Sequence, residues 1–177
     1  SIFLRHAAMY YSFFTSNLST LFIAANDEFI TNICFVHQVG LFLGENLPNY
    51  KNFENLPIIR AKQWLSEYFS DKRPQISKLP VQLKGTDFQK AVWLHAAKIP
   101  YGITLTYGAL AKLLAKSMNK KVISAQAIGT ALSKNPILIV IPCHRVIGAK
   151  NNLSGYSAGL DIKSRLLQFE QCGKISM

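Results

Sequence analysis

The most informative stretch of this 177-residue chain is ILIVIPCHRV, which occupies positions 137–146. Its first five residues are all aliphatic, and such a run is typical of a segment buried on all sides, as a strand or as an extended part of the core. The run leads directly to Cys143, which follows Pro142 and precedes His144 and Arg145. The stretch therefore predicts a cysteine that is held in place at the end of a buried segment.

Cys143 has two interpretations from its neighbourhood alone. A cysteine after a buried apolar segment is most often a small hydrophobic residue of the core. A reactive cysteine needs a base or a positive charge nearby, because the thiolate is the nucleophilic form. His144 could accept the thiol proton, directly or through a water, if a carboxylate orients its other ring nitrogen. The acids of the second half are Asp87, Asp161 and Glu170, and the pattern does not choose among them, although Glu170 could face the core.

Short helices are predicted on both sides of this stretch. The first is capped by Thr86 or Asp87, and the second by Thr106. A third covers about 123–133, and a last, amphipathic helix covers about 160–171. Two short helices across a polar turn suggest a helix-turn-helix, whose second helix could enter a DNA groove. Five lysines cluster around this pair: Lys112, Lys116, Lys120, Lys121 and Lys134.

The first half of the chain predicts a small sheet with at least one helix on it. Residues 10–14, 21–25 and 30–37 favour strands, and turn-forming residues separate them. The apolar spacing over 58–69 predicts a helix with one buried side. Segment 70–83 contains two prolines and is predicted to be a linker. The residues expected on the buried side of the helix are Ile59, Trp64, Leu65, Tyr68 and Phe69.

These patterns predict a two-domain α+β chain, with an N-terminal α/β domain at 9–80 and a C-terminal domain at 85–175. The formal net charge of +11 is divided unequally, with +2 over residues 1–84 and +9 over residues 85–177. A basic second half is typical of nucleic-acid binding, although a merely soluble basic surface would give the same composition.

The cysteine pattern and the hydropathy exclude several classes of protein. Three cysteines without C-x-x-C spacing indicate free thiols in a reducing compartment, so we expect a cytoplasmic protein. No spacing of cysteine and histidine suggests a metal site. No apolar run reaches the roughly 18 residues that a membrane-spanning helix needs, so we expect no membrane partner.

The stretch Ile141–Val146 resembles the active-site signature of the methylated-DNA–protein-cysteine methyltransferases, also called O6-alkylguanine-DNA alkyltransferases. Further blocks are similar to that family's pattern in order and spacing, strongly from about Phe88 to Glu170 and faintly over the first 80 residues. The blocks are Phe88-Gln89 with Val92-Trp93, Ile99–Gly102, Thr106–Gly108, Asn135-Pro136, Gly155–Ser157 with Gly159-Leu160, and Leu166-Leu167 with Glu170.

The resemblance implies a ribonuclease-H-like N-terminal domain and a winged-helix-like C-terminal domain that contains the helix-turn-helix. It implies DNA repair without a cofactor by a monomer that binds double-stranded DNA and rotates the damaged guanine out of the helix. The alkyl group of O6-alkylguanine would pass to Cys143, with O4-alkylthymine as a further candidate substrate. Because the resulting thioether is a poor leaving group, each molecule would act once.

The resemblance also implies roles for individual residues. Cys143 corresponds to the nucleophile, His144 to a base linked to it by a water, and Glu170 to the carboxylate that orients the histidine. This correspondence selects Glu170 from the three acids that the pattern alone leaves open.

The substrate contacts are implied in the same way. Tyr107 would donate a hydrogen bond to the guanine ring and so stabilise the negative charge that grows on the departing base. Ser157 would contact O6, and the carbonyls of Cys143 and Val146 would accept from the exocyclic amine. Asn135 would brace the segment that carries the cysteine.

One position departs from the family's pattern. The third helix usually carries an arginine that fills the space left by the flipped base, and the matching residue here is Gln126. Glutamine can hydrogen-bond to the orphaned base but lacks the charge and the planar stacking surface of a guanidinium. The preceding turn, Lys116–Ser124, is also longer than usual. We therefore hypothesise less efficient base flipping with an intact chemical step.

The expected DNA contacts are Gln126, Ala127, Lys120, Lys121 and Arg145. Lys120 and Lys121 would contact phosphates from the lengthened turn. Arg145 has a strong structural alternative, in which it pairs with a carboxylate and holds the cysteine loop, and this role is preferred to catalysis.

Two other functions fit parts of the sequence. A non-catalytic binder of alkylated DNA would flag lesions for another pathway, but such relatives replace the cysteine that is present here. A helix-turn-helix transcriptional regulator would leave Cys143 without a purpose, and nothing in the first half resembles an effector or dimerisation module.

Overall fold

The computed structural model describes residues 8–44 and 49–173. The chain divides between Gln82 and Leu83 into two compact units. Within the described residues, every helix is too short or too polar to cross a lipid bilayer.

The N-terminal unit is built on a four-stranded sheet with the order β3-β2-β1-β4. Strands β1 (Met9–Thr15), β2 (Thr20–Ala25) and β3 (Ile30–Phe35) form an antiparallel meander, and β4 (Tyr50–Asn52) pairs in parallel with β1. The strand predictions are confirmed except at the end of β3, which stops two residues early. A 3₁₀ turn over Val36–Gln38 follows it and leads into the short helix α1 (Val39–Leu43), and neither β4 nor α1 is evident in the sequence.

Helix α2 (Leu56–Phe69) packs on this sheet. The Asn55 side chain accepts from the backbone N–H of Ile58, and a proline occupies the first turn, where its missing N–H has no cost. Ile58 is fully buried whereas Ile59 is 49% exposed, so the expected buried side is wrong by one position at its start. The apolar row runs through Ile58, Ala61, Leu65 and Tyr68.

The segment predicted as a linker is attached to the sheet. The backbone of Ile30 bonds to both Pro80 and Gln82, with N···O distances of 2.7 and 2.9 Å. Leu79 is buried beside this contact. The prolines prevent a regular strand but leave carbonyl acceptors available, which is why a turn-rich sequence still docks here.

The C-terminal unit contains α3 (Asp87–Ala96), α4 (Tyr107–Ser117), α5 (Ala125–Ser133) and α6 (Leu160–Cys172). Thr86, Thr106 and Ser124 cap the first three, each accepting from a backbone N–H with its side-chain oxygen. The cap at Ser124 makes α5 begin two residues later than predicted. Helices α4 and α5 pack together across the turn 118–124, in the arrangement that the sequence suggested.

The aliphatic run Ile137–Ile141 is buried as predicted but is neither a regular strand nor extended. It folds back through a turn in which Leu138 bridges Ile141, and Ile139 adopts a φ of 70°, which is costly for a β-branched residue. From here the chain enters a 3₁₀ turn at Cys143–Arg145 and the two-residue strand β6 (Val146–Ile147), which pairs with β5 (Leu105–Thr106).

Candidate active site

Cys143 lies at the start of its 3₁₀ turn and is 3% exposed. Its thiol is held by Asn135, whose Nδ2 donates to Cys143 Sγ at 3.1 Å and to the carbonyl of Ile141 at 2.9 Å. The Asn135 Oδ1 accepts from the backbone N–H of Ile137 at 3.0 Å. One fully buried amide thus fixes both ends of the folded-back segment and places a donor on the sulfur.

Glu170, on α6, anchors the residues that follow the cysteine. Its Oε1 accepts from His144 Nε2 at 2.8 Å and from Arg145 Nη2 at 2.9 Å. Its Oε2 accepts from Arg145 Nε at 2.8 Å and from the backbone N–H of Gly102 at 3.0 Å. Arg145 Nη1 donates to the carbonyl of Ile99 at 2.6 Å. These contacts join three segments of the chain through one buried carboxylate.

The protonation states of this cluster follow from its contacts. Burial alone would raise the pKa of Glu170, but the hydrogen bonds and charges of His144 and Arg145 outweigh it and hold the pKa of the carboxyl well below its usual range. Burial lowers the pKa of His144, against the opposing effect of Glu170, so the imidazole is neutral at pH 7. Arg145 is therefore the cation that balances the carboxylate at neutral pH.

His144 is consequently oriented as a base. Because an ionised Glu170 can only accept, His144 Nε2 must carry the ring proton and Nδ1 must carry the lone pair. Nδ1 is buried and has no hydrogen-bond partner among the residues that the structure describes. The tautomer needed to accept the thiol proton is thus set by the pairing with Glu170.

The Cys143 thiol itself is protonated at rest. Burial raises its pKa to about 11, although the hydrogen bond from Asn135 and the charge of Lys163 both act to lower it. The thiol therefore needs a base before it can act as a nucleophile.

Lys163 is a member of this site that the sequence analysis did not identify. Its side chain is fully buried, and Nζ donates to the carbonyls of Val146 and Ser154 at 2.6 and 2.7 Å. Burial lowers its pKa to about 8, against the raising effect of Cys143. The available signal was its spacing, since Lys163, Leu166 and Glu170 occupy one face of α6 at i, i+3 and i+7.

A cavity of about 560 Å³ lies beside these residues. Tyr107 and Ser157 line it together with small residues of α5, and Gln126 stands at its edge, where it also lines a neighbouring cavity with Ala127. The Ser157 Oγ is buried and lacks a hydrogen-bond partner within the described part of the chain. Cys143 is buried and is not among the residues that line this cavity.

The Tyr107 hydroxyl is engaged with the wall of this cavity. It lies 2.9 Å from the carbonyl of Ser154 and 2.7 Å from that of Gly155, and Lys163 Nζ approaches it at 3.4 Å. Burial raises the pKa of Tyr107 to about 12, so the hydroxyl keeps its proton. The carbonyl of Val146 is likewise engaged, by Lys163, although a carbonyl oxygen retains a second lone pair.

The remaining predicted residues fall into two groups. The expectation that Arg145 contacts DNA is corrected, because Arg145 is 6% exposed and its guanidinium pairs with Glu170; this is the structural alternative. Lys120 and Lys121 are exposed in the turn between α4 and α5 and do not line the cavity. No cluster of three or more His, Cys, Asp and Glu side chains suitable for a metal ion occurs in residues 8–44 and 49–173.

Two family models match the chain. One, described as the DNA binding domain of 6-O-methylguanine DNA methyltransferase, matches residues 87–172, and the other, its ribonuclease-like domain, matches residues 9–83. The two matches confirm the predicted two-domain α+β architecture.

Relatives of similar length carry one name. The chain is 38% identical over 165 residues to the methylated-DNA–protein-cysteine methyltransferase of Methanosarcina acetivorans, covering 92% of this chain and 98% of that protein. It is 34% identical over 163 residues to the constitutive methylated-DNA–protein-cysteine methyltransferase of Bacillus subtilis, covering 92% and 95%.

A solved structure of the Mycobacterium tuberculosis O6-methylguanine methyltransferase is similar with a TM-score of 0.77 at 31% identity, covering 92% of this chain and 93% of that one. The OGT of the same organism, solved in complex with DNA, gives a TM-score of 0.77 at 31% identity, covering 92% of each chain.

Proposed function

The chain belongs to the 6-O-methylguanine DNA methyltransferase family, and from this premise we propose that it repairs DNA by moving an alkyl group from guanine O6 to Cys143. The observation that carries the proposal is the arrangement of Cys143, Asn135, His144 and Glu170, in which a thiol, a donor to its sulfur and an oriented neutral base come together. The adjoining cavity supplies a place for an extruded base.

The chemistry balances without a cofactor. The thiol proton passes to His144 Nδ1, directly or through a water, and the sulfur then forms a bond to the alkyl carbon as the bond from that carbon to O6 breaks. The guanine departs as an anion and takes up one proton, which equals the proton removed from the thiol. The products are neutral guanine and an S-alkylcysteine, and the stable thioether makes each molecule act once.

Substrate entry requires a change at the cavity wall. The proposed role of Tyr107 is to donate a hydrogen bond to the guanine ring, but its hydroxyl is bonded to the Ser154 and Gly155 carbonyls in this structure. The entering base would replace these acceptors and separate the wall from Cys143. Ser157 would then contact O6, and the carbonyls of Cys143 and Val146 would accept from the exocyclic amine.

The proposed partner is double-stranded DNA that carries an alkylated guanine. Because every side chain of the site comes from one chain, we propose that a single copy acts on each lesion, which sedimentation of the protein–DNA complex would test. Contact is expected to be mostly to phosphates, since damage can occur at any guanine.

Incubation with duplex DNA containing O6-methylguanine is expected to add the mass of one CH₂ unit to the protein, with the modified peptide containing Cys143. Intact-mass spectrometry measures this gain, and Cys143→Ala is expected to abolish it. Cys172→Ser is the matched control, because Cys172 is the exposed thiol and should be dispensable. Tight binding without a mass gain would instead favour a non-catalytic binder, and equal binding of undamaged DNA would favour a regulator.

Gln126→Arg is expected to accelerate repair of duplex DNA by roughly tenfold without changing the reaction with free O6-alkylguanine. The arginine would add a charge and a stacking surface at the edge of the cavity, where Gln126 is exposed on α5. Single-turnover rates on the two substrates separate flipping from chemistry. Gln126→Met, which keeps the length but adds no charge, is the control. An unchanged duplex rate for Gln126→Arg would contradict the hypothesis that glutamine limits flipping.

A further inference from the structure

A groove of about 570 Å³, which we call the lysine groove, is lined by α4, the turn 118–124 and the first residue of α5. Its walls carry Lys112 and Lys116 from α4 and Lys120 and Lys121 from the turn 118–124, and all four side chains are exposed. The rest of its lining is apolar and consists of Gly108, Ala111, Ala115, Val122, Ile123 and Ala125. Apart from its two lysines, α4 contributes only Gly108 and two alanines, so a polymer can approach that side of the groove closely.

The lengthened turn is an ordered part of the groove. The backbone N–H of Lys120 donates to the carbonyl of Ala115 at 2.9 Å, and that of Met118 donates to Leu114 at 2.9 Å. Asn119 adopts a φ of 51°, a conformation that asparagine tolerates better than most residues. The Lys120 ammonium lies 5.9 Å from the centre of the Phe88 ring on α3. These contacts fix the turn, and its two lysines line the same groove as those of α4.

The positive charges of the lysine groove have no acidic residues near them, either in the sequence or among the described ion pairs. No Asp or Glu occurs between Asp87 and Asp161. Among residues 8–44 and 49–173, no carboxylate lies within ion-pair distance of the four groove lysines. Four neighbouring ammonium groups without acidic partners repel one another, and a polyanion would relieve this repulsion.

The lysine groove and the proposed base cavity are adjacent. Ala125, the first residue of α5, lines both of them. A base is extruded by rotation about its own backbone, so the phosphates on either side of it stay near the mouth of the pocket that receives the base. The strand that delivers a base to the Tyr107 cavity would therefore pass beside Ala125.

We infer that the lysine groove binds the phosphates that flank the lesion on the strand that carries it. This inference rests on the proposed function. It adds which DNA strand is bound, the one that carries the lesion, and which side chains bind it, the four lysines of the groove. The groove supplies positive charge next to the cavity, whose edge carries the neutral Gln126. Contacts between the lysines and the DNA phosphates would hold the strand while the base is extruded.

The test compares two variants that remove the same total charge. In the groove variant Lys112, Lys116, Lys120 and Lys121 are all changed to Gln, and in the control variant four exposed lysines elsewhere, Lys51, Lys72, Lys78 and Lys98, are changed to Gln. We expect the groove variant to bind duplex DNA at least about tenfold more weakly than the control at low salt. A plot of its log K against log salt should have a slope that is shallower by about 3.6, since each of the four neutralised phosphates contributes about 0.9.

A second measurement locates the contact on the DNA. Methylphosphonate linkages that remove the charge of the phosphates flanking the lesion should weaken binding of the control variant by at least about tenfold and leave the groove variant almost unchanged. The same linkages on the opposite strand should weaken both variants equally. Changing the four lysines to Arg should preserve binding, and the paired variants Lys112→Gln/Lys116→Gln and Lys120→Gln/Lys121→Gln serve if the fourfold variant is unstable.

The outcomes separate this inference from the proposed function. The inference would be overturned if the two variants bound DNA equally and with equal salt dependence. It would also be overturned if methylphosphonate linkages on the two strands weakened binding of the control variant equally. Selective loss of RNA or acidic-peptide binding from the groove variant, with unchanged DNA binding, would also overturn it. Failure of the wild-type protein to gain a methyl group would count against the proposed function instead, and transfer from free O6-alkylguanine should be equal in both variants.

Discussion

Glu170→Gln is expected to abolish measurable alkyl transfer and to lower the free energy of unfolding by about 3–5 kcal/mol, as removal of one partner from a buried ion pair does. The carboxylate accepts four hydrogen bonds, whereas an amide offers one oxygen and turns its NH₂ group toward donors. The Arg145 guanidinium would remain buried without a balancing charge. His144 would lose the partner that keeps its proton on Nε2. Denaturant unfolding and single-turnover transfer measure the two effects.

Two controls separate stability from chemistry. Asp161→Asn removes a carboxylate from the same helix. That side chain is exposed, and its ion pair with Arg165 is long, at 3.9 Å, so little change in either measurement is expected. The double variant Arg145→Leu/Glu170→Leu replaces the pair with apolar groups and should recover much of the stability while transfer stays absent. If Glu170→Gln transferred alkyl groups at the wild-type rate, the assigned role of the carboxylate would be wrong.

The same pair predicts the response to acid. Because the pKa of Glu170 is lowered in the folded protein, the stability that it contributes is complete above the usual carboxyl range and is lost as the pH falls through that range toward the depressed value. Glu170→Gln should therefore flatten the acid limb of a plot of unfolding free energy against pH. Asp161→Asn should leave that limb in place.

The structure brings together Cys143, His144 and Glu170, which the sequence singled out, but the sequence did not show how the segment that carries the cysteine is folded. Capping residues such as Thr86 and Thr106 have local causes, so the helices that they open could be placed correctly. Burial of the run before Cys143 followed from composition, but its turn depends on the side chain of Asn135, which bonds across six residues. Composition shows that a segment is apolar, but it does not show which amide side chain outside the segment will determine its conformation.

Two other features depend on contacts whose partners the sequence does not show. Lys163 is one of four charged residues on α6, and its burial follows from carbonyls supplied by Val146 and Ser154. The Tyr107 hydroxyl was assigned to the substrate, and the structure bonds it to the cavity wall, since a hydroxyl takes whichever acceptors the fold brings to it. In both cases the partner is a backbone carbonyl. Because every residue has one, the residue types in the sequence do not show which carbonyl will accept the hydrogen bond.

Asn135→Leu is expected to slow alkyl transfer by about a hundredfold or more and to destabilise the fold by about 1–3 kcal/mol, the cost of one buried group left without a partner. Leucine has a similar volume but leaves the N–H of Ile137 without an acceptor, whereas the carbonyl of Ile141 keeps the backbone N–H of Cys143 as a donor. It also removes the donor that lowers the pKa of Cys143, so the pKa of the thiol should rise above its present value of about 11. The pH dependence of iodoacetamide labelling of Cys143, in a Cys172→Ser background, measures this shift.

Asn135→Asp distinguishes the two roles of this amide. Aspartate keeps an acceptor for the N–H of Ile137, so it should cost less stability than leucine does. When ionised, however, it donates to neither the Ile141 carbonyl nor the sulfur, and when protonated it has one hydrogen where the amide has two. Transfer should therefore fall at least as far as in Asn135→Leu, although more of the fold's stability is retained. Wild-type transfer by Asn135→Asp would show instead that the hydrogen bond to sulfur does not assist the thiolate, and that Asn135 acts only by shaping the segment that carries Cys143.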